Sequence, residues 1–172
     1  MHESSFDRSA PKPELYRSLA VSLEALIGDE PDALANLANA AALIWEALPG
    51  INWAGFYILR NDESGGRNAE LVLGPFQGRP ACVRIAMGKG VCGTAAARRE
   101  ALVVADVNRF PGHIACDSAS RSEIVVPLVA NGDVVGVLDI DAPNVNRFDE
   151  EDRKGLERVS EILAARVDWR TL

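Results

Sequence analysis

The sequence contains no apolar run near the roughly 20 residues that a membrane-spanning helix requires. It has no basic stretch and no basic amphipathic helix, and its 18 Lys and Arg are outnumbered by 25 Asp and Glu. A net charge of -7 and a pI of about 4.9 argue against nucleic acid as the main partner, because phosphate binding needs a basic face. Nor does any basic run or basic amphipathic helix suggest a membrane surface. Cysteine is scarce: Cys82, Cys92 and Cys116 form no C-x-x-C pair, and the histidines are His2 and His113. Closely spaced ligand pairs, the usual mark of structural zinc, are therefore missing, and no metal is expected. An odd cysteine count also argues against a disulfide framework. The first residues, Met1 to Asp7, lack a basic and then apolar leader, so no signal peptide is read and a reducing, cytoplasmic setting is expected. Internal repeats, low-complexity tracts and linkers are lacking too.

What remains is an ordinary globular composition, 48% hydrophobic and 25% charged. We expect one domain over residues 13–172, with residues 1–12 as a flexible lead-in. Pro13-Glu14 opens a helix carrying Leu15, Leu19, Leu23, Leu26 and Ile27, and Gly28 stops it. A second helix follows Pro31-Asp32 and ends at Pro49-Gly50. Strands are expected over residues 52–60, 69–74 and 81–87, with a turn at 61–66 and a loop at 74–78. A short helix (90–99) and a short strand (101–105) lead into an irregular stretch, 106–123, of the kind that often carries function. Asn131-Gly132 between residues 125–130 and 133–140 is the preferred two-residue hairpin turn. A last helix spans about 149–168. This order predicts an α+β domain whose mostly antiparallel sheet is flanked by helices.

Several residues stand out. Gly88-Lys89-Gly90-Val91-Cys92-Gly93 matches G-x-G-x-x-G, yet no parallel βαβ unit or correctly placed acid follows, so we read it as a close-packed helix start and not a dinucleotide site. Cys82, in an apparently alternating strand, reads by itself as a small core residue, and Cys92 as either a helix-start thiol or packing filler. Cys116 lies in an irregular polar segment where no such filler is needed, and so is a candidate reactive thiol. Asp139 and Asp141 project from one face of a strand, where Asp is disfavoured. They mark either an exposed strand end or an anionic pocket for an ammonium or a proton, which Glu123 could join. Trp53 and Tyr57 share a face of the first strand and either pack in the core or wall that pocket.

The segments 52–57 (NWAGFY), 70–78 (ELVLGPFQG), 88–95 (GKGVCGTA), 110–120 (FPGHIACDSAS), 122–128 (SEIVVPL) and 136–141 (GVLDID) resemble the free methionine-R-sulfoxide reductase family. The likeness runs in order over about residues 14–165. It implies a GAF fold, usually as a homodimer, acting without metal or organic cofactor. It implies Cys116 as the attacking thiol and Cys82 as the resolving one, with Cys92 as the family's third cysteine. It places Glu123, Asp139 and Asp141 around the amino acid, Trp53 and Tyr57 near its methyl group, and Asp106 as a further contributor. In this chemistry the thiolate attacks the sulfoxide sulfur, an acid protonates the departing oxygen, and the sulfenic acid condenses with a second thiol. Thioredoxin is the implied reductant. Two other readings are a GAF sensory module that binds a small ligand and a thiol redox sensor without turnover. The first calls for an output domain, for which 172 residues leave no room.

Overall fold

A computed structural model describes residues 6–60, 69–114 and 117–172. The turn expected at 61–66 and the thiol of Cys116 lie outside the described residues. Six strands form one antiparallel sheet in the order β3-β2-β1-β6-β5-β4. They are β1 (Trp53–Arg60), β2 (Glu70–Gly78), β3 (Arg84–Ala86), β4 (Leu102–Val104), β5 (Ser122–Ala130) and β6 (Asp133–Ala142). Four helices accompany them: α1 (Lys12–Ile27), α2 (Ala33–Ala47), α3 (Gly90–Arg98) and α4 (Glu150–Arg166). The α+β architecture expected from the sequence is the one found.

Strand alternation divides the core into two layers. On one face Ala54, Phe56, Ile58, Ile124, Leu138 and Ile140 are buried against α1, α2 and α4. Leu19, Leu37, Leu156 and Leu163, each fully buried, are the helical side of that layer. On the other face α3 and the loops around it cover Trp53, Tyr57, Val125 and Val137. The two long helices α1 and α4 are joined at their starts. Asp149 caps α4, accepting from the backbone N–H of Glu151 and Asp152, and Asp152 completes the capping box. Asp152 is itself fully buried and accepts from the Tyr16 hydroxyl at 2.8 Å, with Lys12 and Arg147 also on its carboxylate.

Three local differences from the sequence reading have physical causes. Residues 74–78, expected as a loop, belong to β2. Pro75 would interrupt a regular ladder, but it falls where β1 and β2 shift register between Gly55 and Tyr57, so pairing resumes at Gly55↔Phe76. Conversely, the strand expected over 81–87 shrinks to Arg84–Ala86, and Cys82 lies in the loop before it. Side chains of β1 hold that loop at Arg79 and Cys82, and among the described residues only Val83 still accepts from β2, at the Leu73 N–H. Glu123, expected ahead of the hairpin strand, is inside β5 and opposite Asp141. The Asn131-Gly132 hairpin turn is formed as expected.

The G-x-G-x-x-G run forms the start of α3. A Cβ on Gly93 would lie 2.3 Å from the carbonyl oxygen of Ala86, and the Gly88 N–H donates to the Gly93 carbonyl at 2.8 Å. The glycines thus bring the helix start against the end of β3, which leaves no cradle for a pyrophosphate.

Candidate active site

The site is built on the second face of the sheet, where β1, β6 and β5 lie side by side. Backbone pairing sets Trp53 opposite Asp141 and Asp141 opposite Glu123. The next row on the same face is Gly55, Asp139 and Val125. A Cβ on Gly55 would fall 2.3 Å from that of Phe76, so the glycine lets the Phe76 and Trp53 rings stack at 5.3 Å. Tyr57 also stacks on Trp53, at 5.9 Å. Two aromatic rings and three carboxylates thus share one patch of sheet whose spacing is set by the backbone ladder.

These five residues line one pocket with Cys92 from α3, and His113, Asp117 and Ser120 from the segment before β5 close it. Its interior measures about 30 Å³, room for a water molecule or two and too little for an amino acid. A substrate must therefore displace part of the wall. Two wall segments are tethered by identifiable bonds. Tyr57 donates its hydroxyl to the carbonyl of Cys82 at 3.0 Å, and Trp53 Nε1 donates to the carbonyl of Arg79 at 3.1 Å. Asn52 Nδ2 donates to Ser120 Oγ at 3.0 Å and to Asp117 Oδ2 at 3.3 Å, pinning the other segment to the start of β1.

Burial controls the protonation of this site. Glu123 and Asp139 are each 6% exposed. Burial raises Glu123 well above the ordinary carboxylate range, and the charges of Asp139 and Asp141 raise it further. Burial likewise raises Asp141 well up, with Asp139 adding to it, and lifts Asp139 itself to about 7. The Cys92 thiol, buried at 3% exposure with Sγ 3.8 Å from Glu123 Oε1, is pushed up by burial and then by the neighbouring acids. The same causes raise the Tyr57 phenol, which stays a hydrogen-bond donor. His113 Nε2 is 3.8 Å from Glu123 Oε2, and its burial favours the neutral ring. The pocket therefore holds carboxyls that are protonated or share protons near neutrality, a source of acid next to a site for a cation.

Of the residues singled out from the sequence, Trp53, Tyr57, Cys92, Glu123, Asp139 and Asp141 come together here. Cys82 joins them through its carbonyl and is disulfide-bonded, whereas Cys92 is a free thiol. Asp106 is not brought to this pocket. Its side chain accepts from the N–H of Asn108 at the start of a 3-10 turn and faces Arg109 and Arg121, beside a separate depression on β4. The family resemblance implied it as a contributor, but its carboxylate here caps the 3-10 turn. Four polar residues were not picked out from the sequence: His113, Asp117 and Ser120, which line the pocket, and Asn52, which tethers two of them. All four lie inside the segments that carry the family resemblance, so motif membership was the available signal.

The chain is similar to known proteins over most of its length. A GAF-domain family model matches residues 35–168. The chain is 52% identical over 148 residues to a free methionine-R-sulfoxide reductase of Escherichia coli, covering 86% of each protein. The chain belongs to the free methionine-R-sulfoxide reductase family. A second relative, the free methionine-R-sulfoxide reductase of Saccharomyces cerevisiae, is 43% identical over 164 residues, spanning 92% of this chain and 89% of the yeast protein. Among solved structures, free methionine-R-sulfoxide reductase from Neisseria meningitidis in complex with its substrate superposes with a TM-score of 0.89 at 47% identity, covering 98% of this chain and 97% of that one. Members of this reductase family are oxidoreductases, and this chain carries their fold over nearly its whole length.

Proposed function

We propose that this protein reduces free methionine-R-sulfoxide to methionine, with Cys116 as the attacking thiol and Cys82 as the resolving one. The observation that carries this reading is the convergence of three buried carboxyls on one aromatic-walled pocket, with the Cys82 loop tied to that wall. A free amino acid brings an ammonium that ionised carboxylates can pair, and a sulfoxide oxygen that a protonated carboxyl can protonate. The pocket supplies both forms because like charges held close in a buried site cannot all ionise.

In the first step the Cys116 sulfur attacks the sulfoxide sulfur. The S–O oxygen takes a proton from the carboxyl cluster and is transferred to Cys116, methionine leaves, and Cys116 becomes a sulfenic acid. The Cys82 thiol then displaces that hydroxyl as water, forming the Cys82–Cys116 disulfide. Thioredoxin returns both cysteines to thiols by exchange, itself becoming oxidised. Two facts support this pairing: Cys82 is disulfide-bonded, and Cys92 is a free, buried thiol on the pocket floor. Holding part of the acid cluster neutral also limits the repulsion that a thiolate would meet there. Methionine sulfoxide within a peptide lacks the ammonium and leaves the ionised acids unpaired, which selects for the free amino acid. Homodimer assembly and a cytoplasmic location belong to the same reading. The described residues include no helix long and apolar enough to cross a membrane.

The test is turnover with thioredoxin on the free R sulfoxide, the free S sulfoxide and a sulfoxide-containing protein. We expect methionine only from the first. Cys116→Ser should release none, and Cys82→Ser should stop after a single turnover. Absence of turnover in the unaltered protein would favour a ligand-binding module or a bare redox sensor. Full activity of Cys116→Ser would overturn the assignment of the attacking thiol.

A further inference from the structure

The floor of the pocket sets a thiol that the proposed reduction does not use, Cys92, beside two of the acids that it does. Cys92 Sγ and carboxylate oxygens of Glu123 and Asp139 all lie within 4.8 Å of one another, and all three residues are buried. They come from α3, β5 and β6, so no short-range sequence spacing announces them. We propose that these three side chains form a binding site for a zinc-class divalent cation, with the fourth coordination position open toward the pocket.

Four observations carry this. Cys92 Sγ and Glu123 Oε1 are 3.8 Å apart. Two such atoms at ordinary zinc bond lengths on a tetrahedral centre sit about 3.6 Å apart, so little movement is needed. Among the described residues, Asp139 Oδ1 is fully buried without a hydrogen-bond partner, while the rest of this carboxyl meets Cys92 and Glu123, the other two members of the set. An orphaned, buried oxygen beside a thiol and a second carboxylate is a donor set in want of an acceptor of electron pairs. The cavity of about 30 Å³ accommodates an ion with a water, whereas an amino acid requires the wall to move. Finally, the donor set chooses the metal. An ammonium or a hard cation such as Mg2+ gains little from sulfur, whereas Zn2+ and Co2+ bind thiolate and carboxylate together. Three protein ligands with one open position is the arrangement of a site that holds an exchangeable fourth ligand.

The experiment uses the unreduced full chain and Co2+, whose bond to a thiolate gives a near-ultraviolet charge-transfer absorption. The expected result is that band in the unaltered protein, its loss in Cys92→Ser, and at least tenfold weaker Co2+ binding in Asp139→Asn. Zn2+ should displace the Co2+ and erase the band. Circular dichroism confirms that each variant is folded, and Cys92→Ala serves if the serine variant is not. Absence of the band in the unaltered protein, or its persistence in a folded Cys92 variant, would overturn the proposal. On the functional reading given above, Zn2+ also inhibits competitively with the sulfoxide. That arm alone rests on the reading, because the absorption requires no turnover.

Discussion

Replacing Asp139 with asparagine should stabilise the protein at neutral pH, contrary to the usual result of altering a buried polar residue. Asp139 is raised from 3.8 to about 7 by burial, so the folded chain holds its proton where the unfolded chain releases it. Between those two values the native state binds more protons than the unfolded state, and stability falls as pH rises. The full contribution is present below about 3.8 and has been lost once the pH passes about 7. At about 1.4 kcal/mol for each pH step, the ceiling is about 4 kcal/mol, and sharing of protons with Glu123 and Asp141 lowers it. Asparagine has nearly the shape of the neutral acid and cannot ionise. Urea unfolding of both proteins from pH 5.5 to 8.5, in buffer with a chelator, should show the asparagine variant ahead throughout. Its lead should widen by about 1–2 kcal/mol up to pH 7 and then level off. Parallel stability curves would refute the reasoning, because they would mean that Asp139 ionises as readily in the folded chain as in the unfolded one. The same variant should lose activity on the free sulfoxide, showing a carboxyl retained for function at the expense of stability.

Two further outcomes follow from named contacts. Tyr57→Phe removes the hydroxyl that holds the Cys82 carbonyl; it should cost about 1 kcal/mol in urea unfolding and slow disulfide formation more than the first release of methionine in rapid-mixing assays. Asp152→Asn leaves Lys12 and Arg147 without their shared buried partner, and thermal unfolding should report a loss of about 3 kcal/mol while KM for the sulfoxide is unchanged.

The fold was largely legible because its helices carry clear periodicity and the Asn131-Gly132 turn marks the hairpin. The two acids of β6 were legible as a same-face pair for a similar reason: strand alternation is local. What resisted was everything set by partners distant in sequence. Residues 74–78 carry the signals of a loop, and only the bulge opposite Phe56 lets Pro75 stay within a strand. Cys82 sits in an alternating run that reads as strand, yet its segment is a loop held by Tyr57 and Trp53. Asp106 has the right charge in the right region, and a local cap consumes it. Glu123 and Asp139 were legible as members of one acidic pocket, whereas the approach of Cys92 was not, because it comes from α3 and no close spacing joins it to them.

The pairing of Glu123 with Asp141 also bears on the order of folding. Both belong to the β5–β6 hairpin, which closes around a two-residue turn. Local closure of this kind is fast relative to assembly of distant strands, so we expect the acids to meet early, before β1 arrives with its aromatic rings. Trp53 and Tyr57 come from the other end of the chain's order, and the loop bearing Cys82 is anchored only after them. A chain caught late in folding would already hold its acids in place while its Cys82 segment was still undocked.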